Sequence, residues 1–183
     1  MIAFECFRSY RLRDIATILF AVIMWIFASY VVNFLVESLM LKIIIIMLVG
    51  NFLLTILAML VNKAGTAMLY YSITSLLTMN MQPFEGMHWA KVYTFVAAAI
   101  MFELIFISVK IEISSIPLDI IIGVVLSNFL MPFVANYLSY TSLSVLNLAL
   151  TFALTGLTAS ILALAFWKII RNRKFVLRFE YEF

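Results

Sequence analysis

A single carboxylate frames the chemistry available to this chain. The stretch HWAKVYTFVAAAIMFELIFISVK, residues 88–110, is apolar for long enough to cross a bilayer and carries Glu103 inside it. A charge at membrane depth costs about 3 kcal/mol even on lenient insertion scales, so it turns toward a partner, a cavity or a ligand rather than toward lipid. Two readings follow. Either Glu103 is structural, protonated or hydrogen-bonded to a neighbouring helix, or it marks a binding site. If its helix starts on the outer side, Glu103 lies ~20 Å below the outer end, at 1.5 Å per residue. On the binding reading it accepts hydrogen bonds from a cationic or amine-bearing ligand. Trp89 and Tyr71 would stack on a ring, Asn51 or Asn128 would orient it, and Tyr93 would lie beside the entry. A buried Asn needs partners, and hydrogen bonds between helices satisfy Asn51 as readily as a ligand does.

Other chemistry is not provided for. The chain has one histidine, His88, and one cysteine, Cys6, so an intrachain disulfide, a paired-histidine haem site and a metal cluster are all ruled out by count. No glycine-rich phosphate loop and no nucleophile, base and orienter set occurs. The expectation is a non-enzymatic protein with no catalytic residue, no metal and no cofactor.

The elements that must position these residues are membrane helices. Of 183 residues, 66% are hydrophobic and 11% charged, with a mean hydropathy of +1.16, far from the roughly one-quarter charged content of soluble domains. Continuous apolar runs predict an all-α bundle of six transmembrane helices, since an open sheet would leave backbone groups unsatisfied in lipid. The spans are placed at about residues 15–36, 41–61, 65–79, 90–109, 116–137 and 143–170, each near the length that a ~30 Å hydrocarbon core requires. The first is expected to remain as a helix, being too long for a signal-peptide core and lacking a small-residue cleavage site. Pro117 suits a first turn, and Pro132 predicts a kink in the fifth helix. Residues 1–183 read as one domain in the cell membrane, in contact with the lipid bilayer. An amino-terminal cytoplasmic segment covers 1–14, and a basic and aromatic tail, 171–183, suits the anionic inner leaflet rather than nucleic acid.

Basic residues set the predicted orientation. With the amino terminus inside, ten of the twelve Lys and Arg are cytoplasmic and only Lys42 and Lys91 lie outside. Both termini are then cytoplasmic, and NMQPFEGMHW, residues 80–89, becomes the longest outer loop. Small residues mark faces suited to close helix contact. In the sixth helix Thr155, Ala159 and Ala163 recur at spacing four beside Gly156 and Ser160, and in the first Ala21 and Ala28 flank Trp25. Gly156, Ala159, Ser160 and Ala163, with Ala21 and Ala28, are candidate partner contacts, within the bundle or with another subunit.

Three stretches carry a family resemblance. RLRDIATILFAVIMWIF is similar to the basic start and first helix of the substrate-binding S components of energy-coupling factor (ECF) vitamin transporters. NKAGTAMLYYSITSLL resembles that family's opening of helix 3, and VAAAIMFELIFI its helix 4, with Glu103 at the position of a glutamate among small residues. The resemblance is closest to the thiamine or hydroxymethylpyrimidine type and spans about four of the six helices. Ala64 stands where the family has Pro, Tyr71 replaces an acidic residue, Ala98 replaces a glutamine, and Ala16 is followed four residues on by Phe20 rather than Ala. The resemblance implies a membrane-embedded subunit that binds a small organic substrate, a vitamin or precursor, from the outer side. Uptake would be powered by a separate transmembrane coupling protein and ATPase subunits. The alternative is a non-catalytic accessory subunit of a larger membrane complex, whose mid-depth polar residues serve assembly alone. A membrane enzyme acting on lipid is a third, weaker reading.

Overall fold

A computed structural model describes residues 9–79, 88–109, 112–113, 116–139 and 144–170. The amino-terminal segment with Cys6, most of the 80–89 loop and the aromatic tail lie outside the described residues. Six helices account for nearly all of what is described: α1 (Leu12–Leu35), α2 (Leu39–Val61), α3 (Thr66–Leu77), α4 (His88–Ser108), α5 (Leu118–Ser139) and α6 (Val145–Ile170). Between α4 and α5 a two-residue antiparallel pairing joins Glu112 to Pro117 and Ile113 to Ile116. Five of the helices are long and apolar enough to cross a membrane. The exception is α3, whose 12 residues extend only ~18 Å, well short of a ~30 Å hydrocarbon core.

The helices close into a ring. In it α1 packs on α2 and α3, α2 on α6, α6 on α5, α5 on α4, and α4 on α3. Within that ring α2 also reaches α3 and α5, so the centre is filled by side chains. An aromatic cluster forms one half of it: Trp25 lies 5.8 Å from Tyr70 and 5.6 Å from Phe95, and Tyr71 lies 5.5 Å from both Tyr70 and Phe95, centroid to centroid. Such tilted contacts suit the ring quadrupoles, and the polar tips find partners inside the bundle. Trp25 Nε1 donates to the Ile46 carbonyl at 2.9 Å, and Tyr70 donates to the Gly50 carbonyl at 3.1 Å. Gly50 is needed for this approach, because a Cβ there would sit 2.9 Å from Trp25 Nε1.

The small-residue face of α6 supplies the other half. Ala149, Gly156, Ala159, Ser160 and Ala163 are buried and face α5 and α2 of the same bundle. A Cβ on Gly156 would come within 3.0 Å of Asn128 Nδ2. These residues thus make contacts within the bundle, as small residues do where backbones must approach. In α1, Ala21 is buried in the core, whereas Ala28 lines an open apolar groove of about 530 Å³ between α1 and α2, beside Phe27, Val31, Leu48 and Phe52.

The turn between α2 and α3 is tied down at one end of the bundle. Asn62 ends α2 in the left-handed region at φ 46°, a conformation Asn tolerates, and Gly65 precedes α3 at φ 90°, where a side chain would be strained. Tyr10 donates to the Ala64 carbonyl at 2.7 Å, and Lys63 pairs with Asp14 while also donating to the Ser9 carbonyl at 2.8 Å. Asp14 in turn accepts the Arg11 backbone N–H at 2.9 Å, capping the start of α1. Burial pushes the Tyr10 pKa upward, so its hydroxyl remains a donor.

Candidate functional site

A helix that begins and ends inside a bundle leaves up to four N–H groups at one end and four C=O groups at the other without partners. In lipid, water cannot satisfy them. For α3 both ends are served by α4. Glu103 Oε1 accepts the Ala67 N–H at 2.8 Å, and the N–H groups of Gly65 and Met68 also face this carboxylate. Glu103 Oε2 is buried without a hydrogen-bond partner. At the other end Lys91 Nζ donates to the Thr78 carbonyl, which follows the last residue of α3, at 2.5 Å.

The spacing accounts for the fit. Lys91 and Glu103 are twelve residues apart on α4, and α3 has 12 residues, so both separations are ~18 Å along antiparallel axes. The signs match as well. A carboxylate meets the positive amino-terminal end of the α3 dipole, and an ammonium its negative carboxy-terminal end. Lys91 and Glu103 therefore act together as a clamp on α3.

The mid-depth polar residues meet each other. Asn51 Nδ2 donates to Asn128 Oδ1 at 3.1 Å, and Asn128 Nδ2 donates back to Asn51 Oδ1 at 3.0 Å. Tyr71 adds its hydroxyl proton to Asn51 Oδ1 at 3.1 Å, and Asn128 Nδ2 also reaches the Val124 carbonyl at 2.6 Å. All three side chains are at most 1% exposed. This reciprocal pair joins α2, α3 and α5, with the backbone of α6 drawn in at Gly156. The hydrogen-bonding groups are used on one another, as buried polar networks require.

The remaining candidates lie elsewhere. Trp89 and Tyr93 are 60% and 59% exposed on the outside of α4, away from Glu103 and from the amide pair. Tyr71 is brought to Asn51 and Asn128, so of the six candidate ligand contacts three converge. Glu103 sits apart from these at the α2–α3 turn.

A small, partly open cavity lies at the opposite end of α4. It measures about 20 Å³ and is lined by Lys91, Thr94 and Phe95 of α4, Met131, Pro132 and Ala135 of α5, and Phe152 of α6. Pro132 lies inside α5, where a proline displaces the helix backbone and leaves a gap in its packing. Lys91 is only 5% exposed. Reading the sequence alone missed this lysine, which positive-inside counting assigns to the outer surface. The signal available was its twelve-residue spacing from Glu103. No family model, no curated protein and no solved structure matches the chain. Function must come from geometry. Among the described residues no three His, Cys, Asp or Glu side chains gather as a metal site.

Proposed function

We propose that the chain is the membrane-embedded substrate-binding subunit of an uptake system for a small organic nutrient, working with a separate coupling protein and ATPases. One observation carries this reading. Two of the three stretches that carry the family resemblance, NKAGTAMLYYSITSLL and VAAAIMFELIFI, meet through Glu103 and the Ala67 N–H at 2.8 Å. The resembling residues thus form one physical unit rather than scattered matches. In this arrangement Glu103 holds α3, and the pocket belongs at the other end of α4, where Lys91 borders the cavity between α4, α5 and α6. The protein would lie in the cell membrane with both termini cytoplasmic and the Lys91 end outward.

A second reading has its own support. The saturation of Asn51, Asn128 and Tyr71 is what an accessory subunit needs, its polar residues serving assembly alone. Native purification with mass spectrometry of bound proteins and small molecules separates the two. A coupling protein, ATPases and a small organic molecule favour the uptake subunit. Subunits of another membrane complex, with no small molecule, replace it with the accessory reading.

A further inference from the structure

We infer that α1 is a pairing surface for a second copy of this chain, the two α1 helices running parallel about a two-fold axis along the membrane normal. This goes beyond the proposed uptake role and stands independently of it. Sequence and exposure coincide on one face of the helix. Phe20, Phe27 and Phe34 recur at intervals of seven, with Ile23 and Tyr30 three residues after the first two, and these five residues are 60% to 91% exposed. A repeat of seven keeps one stripe of a helix against a parallel partner. Of the apolar stretch of α1, 33% is buried inside the bundle, against 39% to 56% for the other four long helices. The lipid-facing stripe of α6 is built differently, from Leu146, Leu150, Leu154 and Ile161. Lipid tails are as apolar as Leu and ask nothing more of a helix face, whereas aromatic rings are the usual anchors between proteins.

The open groove of about 530 Å³ between α1 and α2 adjoins this stripe, and Phe27 belongs to both. Along α1 the groove runs from Met24 to Val32, about 12 Å at 1.5 Å per residue, so its mean cross-section is ~44 Å², too narrow for a helix about 10 Å across but wide enough for side-chain rings. A helix laid along the stripe at the usual spacing of roughly 8–10 Å covers the mouth of the groove and sends rings into it, between Met24, Val31, Leu48 and Phe52. Two copies inserted in the same orientation pair through one shared face only about an axis along the membrane normal, which sets each Phe of the stripe against its own counterpart. The area suffices. At roughly 200 Å² for each aromatic residue, the exposed parts of Phe20, Phe27, Tyr30 and Phe34 come to about 550 Å² in each copy. Two copies with Ile23 included reach the ~1,200–2,000 Å² of a stable interface.

The test uses the purified full chain carrying Cys6→Ser and Ser38→Cys, labelled with donor or acceptor dye, in phosphatidylcholine vesicles of increasing lipid-to-protein ratio. Energy transfer is expected to fall along a monomer–dimer curve as lipid is added. The triple variant Phe20→Leu, Phe27→Leu, Phe34→Leu keeps the face apolar and removes the rings, so it should weaken pairing about tenfold or more and leave the melting temperature of the diluted monomer unchanged. Ala28→Phe fills the groove from within its own chain and should weaken pairing as well. In the Cys6→Ser chain, oxidative cross-linking should be strong for Phe20→Cys, Phe27→Cys and Phe34→Cys taken singly, where the two chains approach within disulfide reach, and absent for Leu150→Cys and Leu154→Cys on α6. This scan decides if the triple variant does not fold. Energy transfer no greater than that of randomly mixed monomers, unchanged pairing in the triple variant, or cross-linking through α6 overturns the inference. A monomer that keeps a co-purified lipid in the groove assigns the groove to lipid and overturns it too.

Discussion

Replacing Glu103 tests whether α4 holds α3 by charge. Glu103→Gln keeps an oxygen where Oε1 accepts the Ala67 N–H and removes only the negative charge. The loss is then the charge–dipole contribution at a helix start, about 1–2 kcal/mol in a partly buried setting. Glu103→Ala also removes the acceptor and leaves N–H groups of the first α3 turn in a water-poor site, adding about 1–3 kcal/mol. The expected order is wild type, Gln, Ala, with total losses of ~1–2 and ~2–5 kcal/mol. Reversible unfolding in mixed micelles, followed by tryptophan fluorescence, measures both. Charge exchange sharpens the test. If Glu103 and Lys91 act on opposite ends of α3, the double variant Glu103→Lys with Lys91→Glu places both charges against the dipole and is worse than either single variant. If instead the two residues attracted each other directly, the exchange would restore stability. Restoration, or a Glu103→Ala protein as stable as wild type, refutes the clamp.

Other residues give independent expectations. Asn51→Leu removes three hydrogen bonds, at roughly 0.6 kcal/mol each in membrane proteins, so a loss of about 2 kcal/mol is expected in the same unfolding assay. Adding Asn128→Leu should cost less than the sum of the singles, because the orphaned amide is then gone. Ala159→Leu overfills the contact of α6 with its neighbours and should lower stability by ~1–3 kcal/mol, read as a drop in melting temperature. Gly65→Ala, at φ 90° and with its Cβ 3.1 Å from the Tyr10 hydroxyl, should cost about 1 kcal/mol or more. Cysteines placed at Ser9 and Ser38, exposed at opposite ends of α1, should react with impermeant reagents from opposite sides of the membrane, Ser9 from the cytoplasmic side. Same-side labelling would remove α1 as a span.

What the chain makes legible is its apolar pattern. Continuous hydrophobic runs place the five long helices to within a few residues, because in lipid only helices satisfy their own backbone. The close-packing face of α6 is equally plain, since Thr155, Gly156, Ala159, Ser160 and Ala163 recur at helical spacing. Spacing alone does not reveal what such a face meets, and here it meets α5 and α2. For α3 the polar composition of TAMLYYSITSLL announces a helix unsuited to lipid and its apolar run is already the shortest of the six, while the way α4 reaches both of its ends is visible only in the fold. The pairing of Asn51 with Asn128, 77 residues apart, depends on how the ring closes, which no local pattern encodes. Glu103 is conspicuous at once as a charge in an apolar run, but its acceptor role belongs to the α2–α3 turn, far away in sequence. Lys91 is hidden for the opposite reason: one lysine near the end of a span looks like an ordinary interfacial anchor.

The most direct test of the clamp is a dipolar-recoupling solid-state NMR measurement in lipid bilayers. It uses chain labelled with ¹³C at glutamate Cδ and ¹⁵N at alanine amides, with Glu103→Gln to assign the signal. A strong coupling between the Glu103 carboxyl carbon and the Ala67 amide nitrogen, matching the 2.8 Å oxygen-to-nitrogen contact, is the predicted result. An uncoupled Ala67 amide, with the Glu103 carboxyl signal instead moved by a bound small molecule, would return Glu103 to the ligand and contradict the clamp.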